Sequence, residues 1–273
     1  MSEIDLAGLT AASLSRIRER TPLIHNITNY VVMNDTANIL LAVGASPVMA
    51  HATQEVREMA GNAGALVLNI GTLDDAWIES MVAAGHAANE RGVPIVLDPV
   101  GAGATVYRSN MVERMLGWLR FAVVRGNAGE LSAIGGLGGQ VRGVDSVAGD
   151  PMAAARAVAA RTQGVAVASG PVDCVAGGTR VAQVGNGHPL MARITGSGCM
   201  ATAMVGAFLA VEADPFLAAV EATIAFGIAG EIAAERSAGP GTFRAQLMDA
   251  VAALDADTIR ARTRAVVHDT AAS

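Results

Sequence analysis

Residues 94–105 read PIVLDPVGAGAT: an apolar run, Ile95-Val-Leu97, ends on Asp98 and passes at once into a proline- and glycine-rich turn. A short, continuously apolar run bounded by turn residues suits a strand covered on both faces, where an alternating run suits a half-exposed one. LVLNI (66–70) and VAVAS (165–169) have the same character. Working outward, strands are expected at Ala45–Met49, Ala65–Ile70, Pro94–Asp98, Phe121–Arg125 and Val165–Ser169, with helical stretches between them at roughly 53–62, 75–91, 107–118, 127–135 and 146–163. Strands alternating with helices imply a central, mostly parallel sheet with right-handed crossovers and helices on both faces, an α/β fold. After Gly170 the pattern changes. Asp173–Val175 and Arg180–Val184 predict a hairpin at the sheet edge, and helices are expected over 198–211, 215–236 and 242–265. The glycine-rich 135–143 segment reads as a loop. No Pro/Ser-rich linker or internal repeat divides the chain, so one domain over 1–273 is expected.

The 273 residues carry 19 basic and 25 acidic side chains, a net charge of −6, with 52% hydrophobic and 16% charged residues. That composition fits a packed core and argues against disorder, and the acidic balance argues against nucleic acid as a partner. All 19 basic residues are arginine. Without lysine there is no P-loop, no protein kinase of the usual kind and no lysine Schiff base. Any phosphate must be handled by backbone amides, arginine and metal. Two cysteines, Cys174 and Cys199, are too few for a disulfide framework or a cysteine-rich zinc site, and the five histidines show no HExxH pairing. The charge-free stretches 36–54 and 194–211 carry glycine, proline and polar residues and read as element–turn–element in a core, not as membrane spans. The first 20 residues lack a secretory pattern, so a cytoplasmic protein is expected.

In an open parallel sheet the ligand lies beyond the carboxyl ends of the strands. Polar residues fall there after five successive strands: Met49-Ala-His51, Asn69-Ile-Gly71-Thr72, Asp98 to Gly103, Arg125-Gly-Asn127-Ala-Gly-Glu130, and Ser169-Gly170. Thr195-Gly-Ser-Gly-Cys199 opens an apolar helix, and paired glycines there expose N–H groups at its positive end, a nest for an anion or a developing phosphoryl charge. The same position is expected to lower the Cys199 thiol's pKa; the alternative is a cysteine facing core. Gly196 to Ala201 also matches GxGxxA, but it comes late and no second βαβ half follows. Asp98 and Glu130 are candidates for Mg²⁺, with a solvated aspartate and a helix-start glutamate as the alternatives. Arg125 can clamp a phosphate through its planar fork. His25-Asn26-Ile-Thr28-Asn29 is either helix capping or part of a small-ligand site. Cys174 reads as packing.

These residues resemble the hydroxyethylthiazole kinase family of the ribokinase-like superfamily. The matching segments are PLIHNITNYVVMNDTANILLAVGASPVMAHA (22–52), LVLNIGTL (66–73), PIVLDPVGAGAT (94–105), VVRGNAGEL (123–131), Val144-Asp-Ser146, ITGSGCMATA (194–203) and GPGTF (239–243). The resemblance implies a ribokinase-like fold and ATP-dependent phosphorylation of 4-methyl-5-(2-hydroxyethyl)thiazole, in thiamine salvage and biosynthesis. It also implies Mg²⁺ and a homotrimer with active sites between subunits. It puts Met49, Gly196 and Asn26 at the thiazole, and Arg125, Ser169 and Asn127 at ATP. Gly196, Ser197 and Gly198 fall in the anion hole, Asp98 and Glu130 at the metal, and Cys199 where most ribokinase-like enzymes have an aspartate base. A pyrimidine or pyridoxal alcohol kinase is disfavoured by Cys199 and the HNITN and SPVMAHA segments. A lyase repairing hydrated nicotinamide cofactors would need aspartate at 199. A non-catalytic thiazole-binding protein would not need Asp98 and Glu130 beside Arg125.

Overall fold

The computed structural model describes residues 4–137 and 150–269. The chain runs α1 (Leu6–Arg20), β1 (Leu23–Ile27), α2 (Met33–Val43), β2 (Ser46–Val48), α3 (Val56–Asn62), β3 (Ala65–Asn69), α4 (Asp75–Arg91), β4 (Ile95–Asp98), α5 (Val106–Trp118), β5 (Val123–Asn127) and α6 (Ala128–Ile134). It continues with α7 (Pro151–Thr162), β6 (Val165–Ser169), β7 (Asp173–Gly177), β8 (Arg180–Val184), a 3-10 turn (Pro189–Arg193), α8 (Ser197–Leu209), α9 (Pro215–Glu235), α10 (Pro240–Ala253), α11 (Ala256–Arg262) and β9 (Ala265–Asp269). Among the described residues one sheet runs β2-β1-β3-β4-β5-β6-β7-β8-β9. The pairs from β2 to β6 are parallel, and those from β6 to β9 antiparallel.

Alternation along the strands sorts the core into two layers. Val67, Val96, Val123 and Val167 pack with α1, α2 and α8 to α11, whereas Leu66, Leu68, Ile95, Leu97 and Val124 pack with α3 to α7. Both faces are covered, which explains the unbroken apolar runs. The same alternation carries Asn69, Asp98 and Arg125, each two residues beyond a valine of the first layer, onto the face that α8 covers. Strand order reverses at β1, with β2 on one side and β3 on the other, and such a switch leaves a crevice at the strands' carboxyl ends.

The expected parallel strands and the helices between them are present with ends shifted by a few residues. Two expectations need correcting. The β7–β8 hairpin is not the sheet edge, because β9 pairs outside it from Arg180↔Asp269 to Val184↔Ala265. The single helix expected over 242–265 is two helices and a strand. Asp255 breaks it by capping α11, accepting from Thr258 N at 2.7 Å, and β-branched Val266 and Val267 then suit the sheet. The amino-terminal elements α1 and β1 have no counterpart among the expected helices and strands, since their polar residues (Thr10, Ser13, His25, Asn26) interrupt the apolar pattern yet are buried. Gly138–Gly143 of the glycine-rich loop, the start of the 146–163 helix and Val144-Asp-Ser146 lie outside the described residues. The helix α9 is long and apolar enough to cross a membrane by length and composition, but 89% of its most apolar window is buried inside the fold. The expected element–turn–element reading of 36–54 is met by α2 and β2.

Candidate active site

Asn69 ends β3 beside Asp98, which ends β4; the two are register partners. The Asn69 Nδ2 donates to Asp98 Oδ2 at 2.8 Å, and the Thr202 hydroxyl of α8 donates to the same oxygen at 2.8 Å. Asn29, two residues past β1, donates through Nδ2 to Asn69 Oδ1 at 2.8 Å and approaches Cys199 Sγ at 3.6 Å. Three strand ends and one helix thus converge on a single buried amide–carboxylate chain. Asp98 is 4% exposed. Burial raises its pKa, opposed by Arg125 and by the hydroxyl and amide donors.

Helix α8 enters this cluster through its first turn. Gly196 caps it at φ +82°, and a Cβ at that position would stand 2.5 Å from Val32 Cγ1, so only glycine fits. The first intrahelical bond is Met200 N to Gly196 O at 2.8 Å. The amides of Ser197, Gly198 and Cys199 precede it and are left for other partners. Arg125, 8% exposed, donates through Nη1 to Gly198 O at 3.0 Å and so ties β5 to this turn.

Glu130 closes the other side. Asn127 and Glu130 form a reciprocal capping box on α6: Glu130 N donates to Asn127 Oδ1 at 2.9 Å, and Asn127 N to Glu130 Oε2 at 2.8 Å. The second carboxylate oxygen accepts from Gly101 N at 2.7 Å. Burial, and then the negative charge of Asp98, push the Glu130 carboxyl up to about 7. Two acids that raise each other's cost in a buried site are a natural seat for a cation. No group of three or more His, Cys, Asp or Glu gathers among the described residues. Asp98 and Glu130 are thus the carboxylates the described residues offer a metal here, a small oxygen set that would fit Mg²⁺ completed by phosphate oxygens and water.

The structure corrects one expectation. The Cys199 thiol is not lowered: burial, then the charge of Asp98, push it up to about 12, outweighing Asn29, Asn69 and Arg125, which act in the opposite direction. A helix N-terminus favours a thiolate, but not enough to overcome a buried carboxylate alongside.

The structure brings Asp98, Arg125, Asn127, Glu130, Gly196, Ser197, Gly198 and Cys199 together at the carboxyl ends of the strands. Ser169, at the end of β6, donates to Gly126 O at 3.3 Å on the same side of the sheet. Met49 is half-buried just past β2, and His51 Nδ1 lies 3.3 Å from its carbonyl. Asn26 is 1% exposed on β1, with neither amide atom hydrogen-bonded to another of the described residues. Thr202 and Asp173 carry no site signal in the sequence, whereas Asn69 falls in one of its polar strand-end segments without a role of its own. Thr202 follows Cys199 by three positions, a helical spacing that puts both on one face. Asp173 accepts from Gly170 N at 2.9 Å, and burial, offset in part by Arg125, pushes it up to about 6.

The architecture and the place of the site define an α/β protein of the ribokinase-like kind. A solved structure from Enterococcus faecalis V583, described as a ribokinase-like superfamily protein, superposes with a TM-score of 0.63 at 12% identity, covering 84% of this chain and 86% of that one, a likeness of fold alone. Within that class the chain belongs to the hydroxyethylthiazole kinase family, whose model matches residues 14–257. A hydroxyethylthiazole kinase from Desulforudis audaxviator (strain MP104C) is 56% identical over 251 residues, 91% of this chain and 92% of that protein. The solved hydroxyethylthiazole kinase from Pyrococcus horikoshii OT3 superposes with a TM-score of 0.89 at 44% identity, covering 95% of this chain and 99% of that one.

Proposed function

We propose that this chain, acting as one kinase domain, transfers the γ-phosphoryl group of ATP to the hydroxyl of 4-methyl-5-(2-hydroxyethyl)thiazole, in thiamine salvage and biosynthesis. Beside family membership, the observation that carries this reading is the chain Asn29–Asn69–Asp98–Thr202, which ends at Cys199 and the free amides of α8.

The alcohol oxygen attacks the γ-phosphorus in line as the bond to the ADP oxygen breaks. Such a transition state is loose, so the alcohol's proton leaves late, and positioning and charge stabilisation contribute most. That suits Cys199, whose protonated thiol orients the hydroxyl better than it accepts a proton. The amides of Ser197, Gly198 and Cys199, with Arg125, face the charge on the transferring group. Asp98 and Glu130 would hold Mg²⁺, which when bound neutralises phosphate charge. Arg125, Ser169 and Asn127 bind ATP; Met49, Asn26 and Gly196 bind the thiazole. The unpaired, buried amide of Asn26 supports its role, because a polar group left without partners costs free energy unless something fills the gap.

The same reading includes a homotrimer with sites between subunits, in the cytoplasm where ATP is made. Tyr30 and Val31, 58% and 60% exposed directly beside Asn29, support a neighbouring subunit at the mouth. Light scattering on the purified protein would give three times 27.6 kDa; a monomer would remove the shared site.

The test of the function is ADP release with ATP, Mg²⁺ and the thiazole alcohol, run beside hydroxymethylpyrimidine and pyridoxal. Turnover confined to the thiazole supports the reading. Turnover only with another alcohol overturns the substrate, and no turnover with any overturns the kinase.

A further inference from the structure

Arg108 lies outside the residues assigned above. It sits in the first turn of α5, its own N–H bonded at 3.2 Å to the capping Thr105 hydroxyl. A cation there opposes the helix dipole, so the helix does not explain it. Its guanidinium instead reaches back across the strand ends. Nη1 donates to Ile70 O at 2.8 Å and to Val100 O at 2.7 Å, and Nη2 donates to Gly71 O at 2.7 Å. One side chain therefore joins the loop after β3 to the loop after β4.

Two of those carbonyls belong to peptide groups whose other end is already in the site. The Ile70–Gly71 peptide offers its oxygen to Arg108 and its N–H to Asn69 Oδ1 at 3.0 Å. The Val100–Gly101 peptide offers its oxygen to Arg108 and its N–H to Glu130 Oε1 at 2.7 Å. Asn69 in turn donates to Asp98. A cation on the oxygen end of a peptide strengthens the bond its N–H donates, and chains of such bonds polarise one another. The packing is close as well: Gly101 has φ +76°, and a Cβ there would lie 3.0 Å from Arg108 Cδ.

We propose that Arg108 is a positioning residue that orients both candidate metal-holding carboxylates, Asp98 through the Ile70–Gly71 peptide and Asn69, and Glu130 through the Val100–Gly101 peptide. It touches neither carboxylate. The proposal rests on the phosphoryl-transfer reading for its kinetic consequence and on geometry alone for its structural one.

The test compares wild type, Arg108→Ala and Arg108→Lys by peptide-resolved amide hydrogen exchange over 68–73 and 99–104 and by steady-state kinetics. In folded Arg108→Ala, exchange in both segments should rise at least tenfold while α9 is unchanged. The kcat should fall at least tenfold with KM for the thiazole alcohol within twofold, and added guanidinium should restore part of it. Lysine, a point donor in place of a planar fork, should give intermediate exchange and kcat. If the alanine variant does not fold, the lysine variant carries the test alone. Unchanged exchange in both segments overturns the proposal, whatever the activity. Loosened segments with wild-type kcat overturn its catalytic part. If the wild type turns over no thiazole alcohol, the functional reading fails, while the exchange result still decides whether Arg108 holds the two loops.

Discussion

Replacing Glu221 by glutamine should stabilise the protein, and only above acid pH. Glu221 lies in α9, fully buried. One carboxylate oxygen accepts a short hydrogen bond from Ser13 of α1, and the other has no partner among the described residues. Burial pushes its pKa from 4.5 up to about 7, with the Ser13 bond opposing the shift. A carboxyl whose folded pKa is raised contributes most when it is protonated in both states, below about pH 4.5, and that contribution is lost as pH rises toward 7. A difference of about 2.5 pKa units at about 1.4 kcal/mol each gives a loss of about 3 kcal/mol above pH 7. Glutamine keeps an acceptor for Ser13 and cannot ionise. The Glu221→Gln variant should therefore match wild type near pH 4, exceed it by about 1 kcal/mol at pH 5 and by about 3 kcal/mol at pH 8. Urea unfolding at the three pH values measures this. A gap that does not widen with pH, or a glutamine variant weaker at pH 8, would refute the reasoning.

Cys199 should be alkylated by iodoacetamide at pH 8 more slowly than free cysteine, because its thiol is held at about 12; faster reaction would restore the thiolate. Thr202→Val removes a hydrogen bond to a buried carboxylate, a contact worth about 1.5–3 kcal/mol, so kcat/KM should fall roughly 10- to 100-fold with the fold retained. Steady-state kinetics beside circular dichroism would show it, and unchanged kinetics would exclude the hydroxyl from the site. Gly196→Ala combines a positive φ with a clash on Val32 and should cost about 1–3 kcal/mol in urea unfolding. An alanine variant as stable as wild type would contradict the geometry of that cap.

The parallel core was legible because strands buried on both faces leave unbroken apolar runs, as in LVLNI and IVLD. The amino-terminal third was less so, since His25 and Asn26 on β1, and Thr28 just past its end, are buried polar residues where an apolar run would mark a strand. Asp98, Glu130, Arg125 and the 195–199 turn could be found by position, at strand ends and a helix start. Asn69 could be placed at a strand end but given no role, and Thr202 could not be found, because a lone amide or hydroxyl has meaning only beside the carboxylate it holds. Nor could the state of Cys199, where the helix start visible in the sequence competes with burial and a charge from β4 that only the fold brings near. Arg108 was hidden for a related reason: its partners are backbone carbonyls, which leave no mark on residue type.

The central claim, γ-phosphoryl transfer to the thiazole alcohol at the Asp98 cluster, is tested most directly by ³¹P NMR of ATP, Mg²⁺ and the alcohol with wild type and Asp98→Asn. One phosphate monoester of the thiazole alcohol per ADP in the wild type, and none above background in the folded variant, is the predicted result. Free phosphate in place of the ester, or ester formed at the wild-type rate by Asp98→Asn, would contradict it.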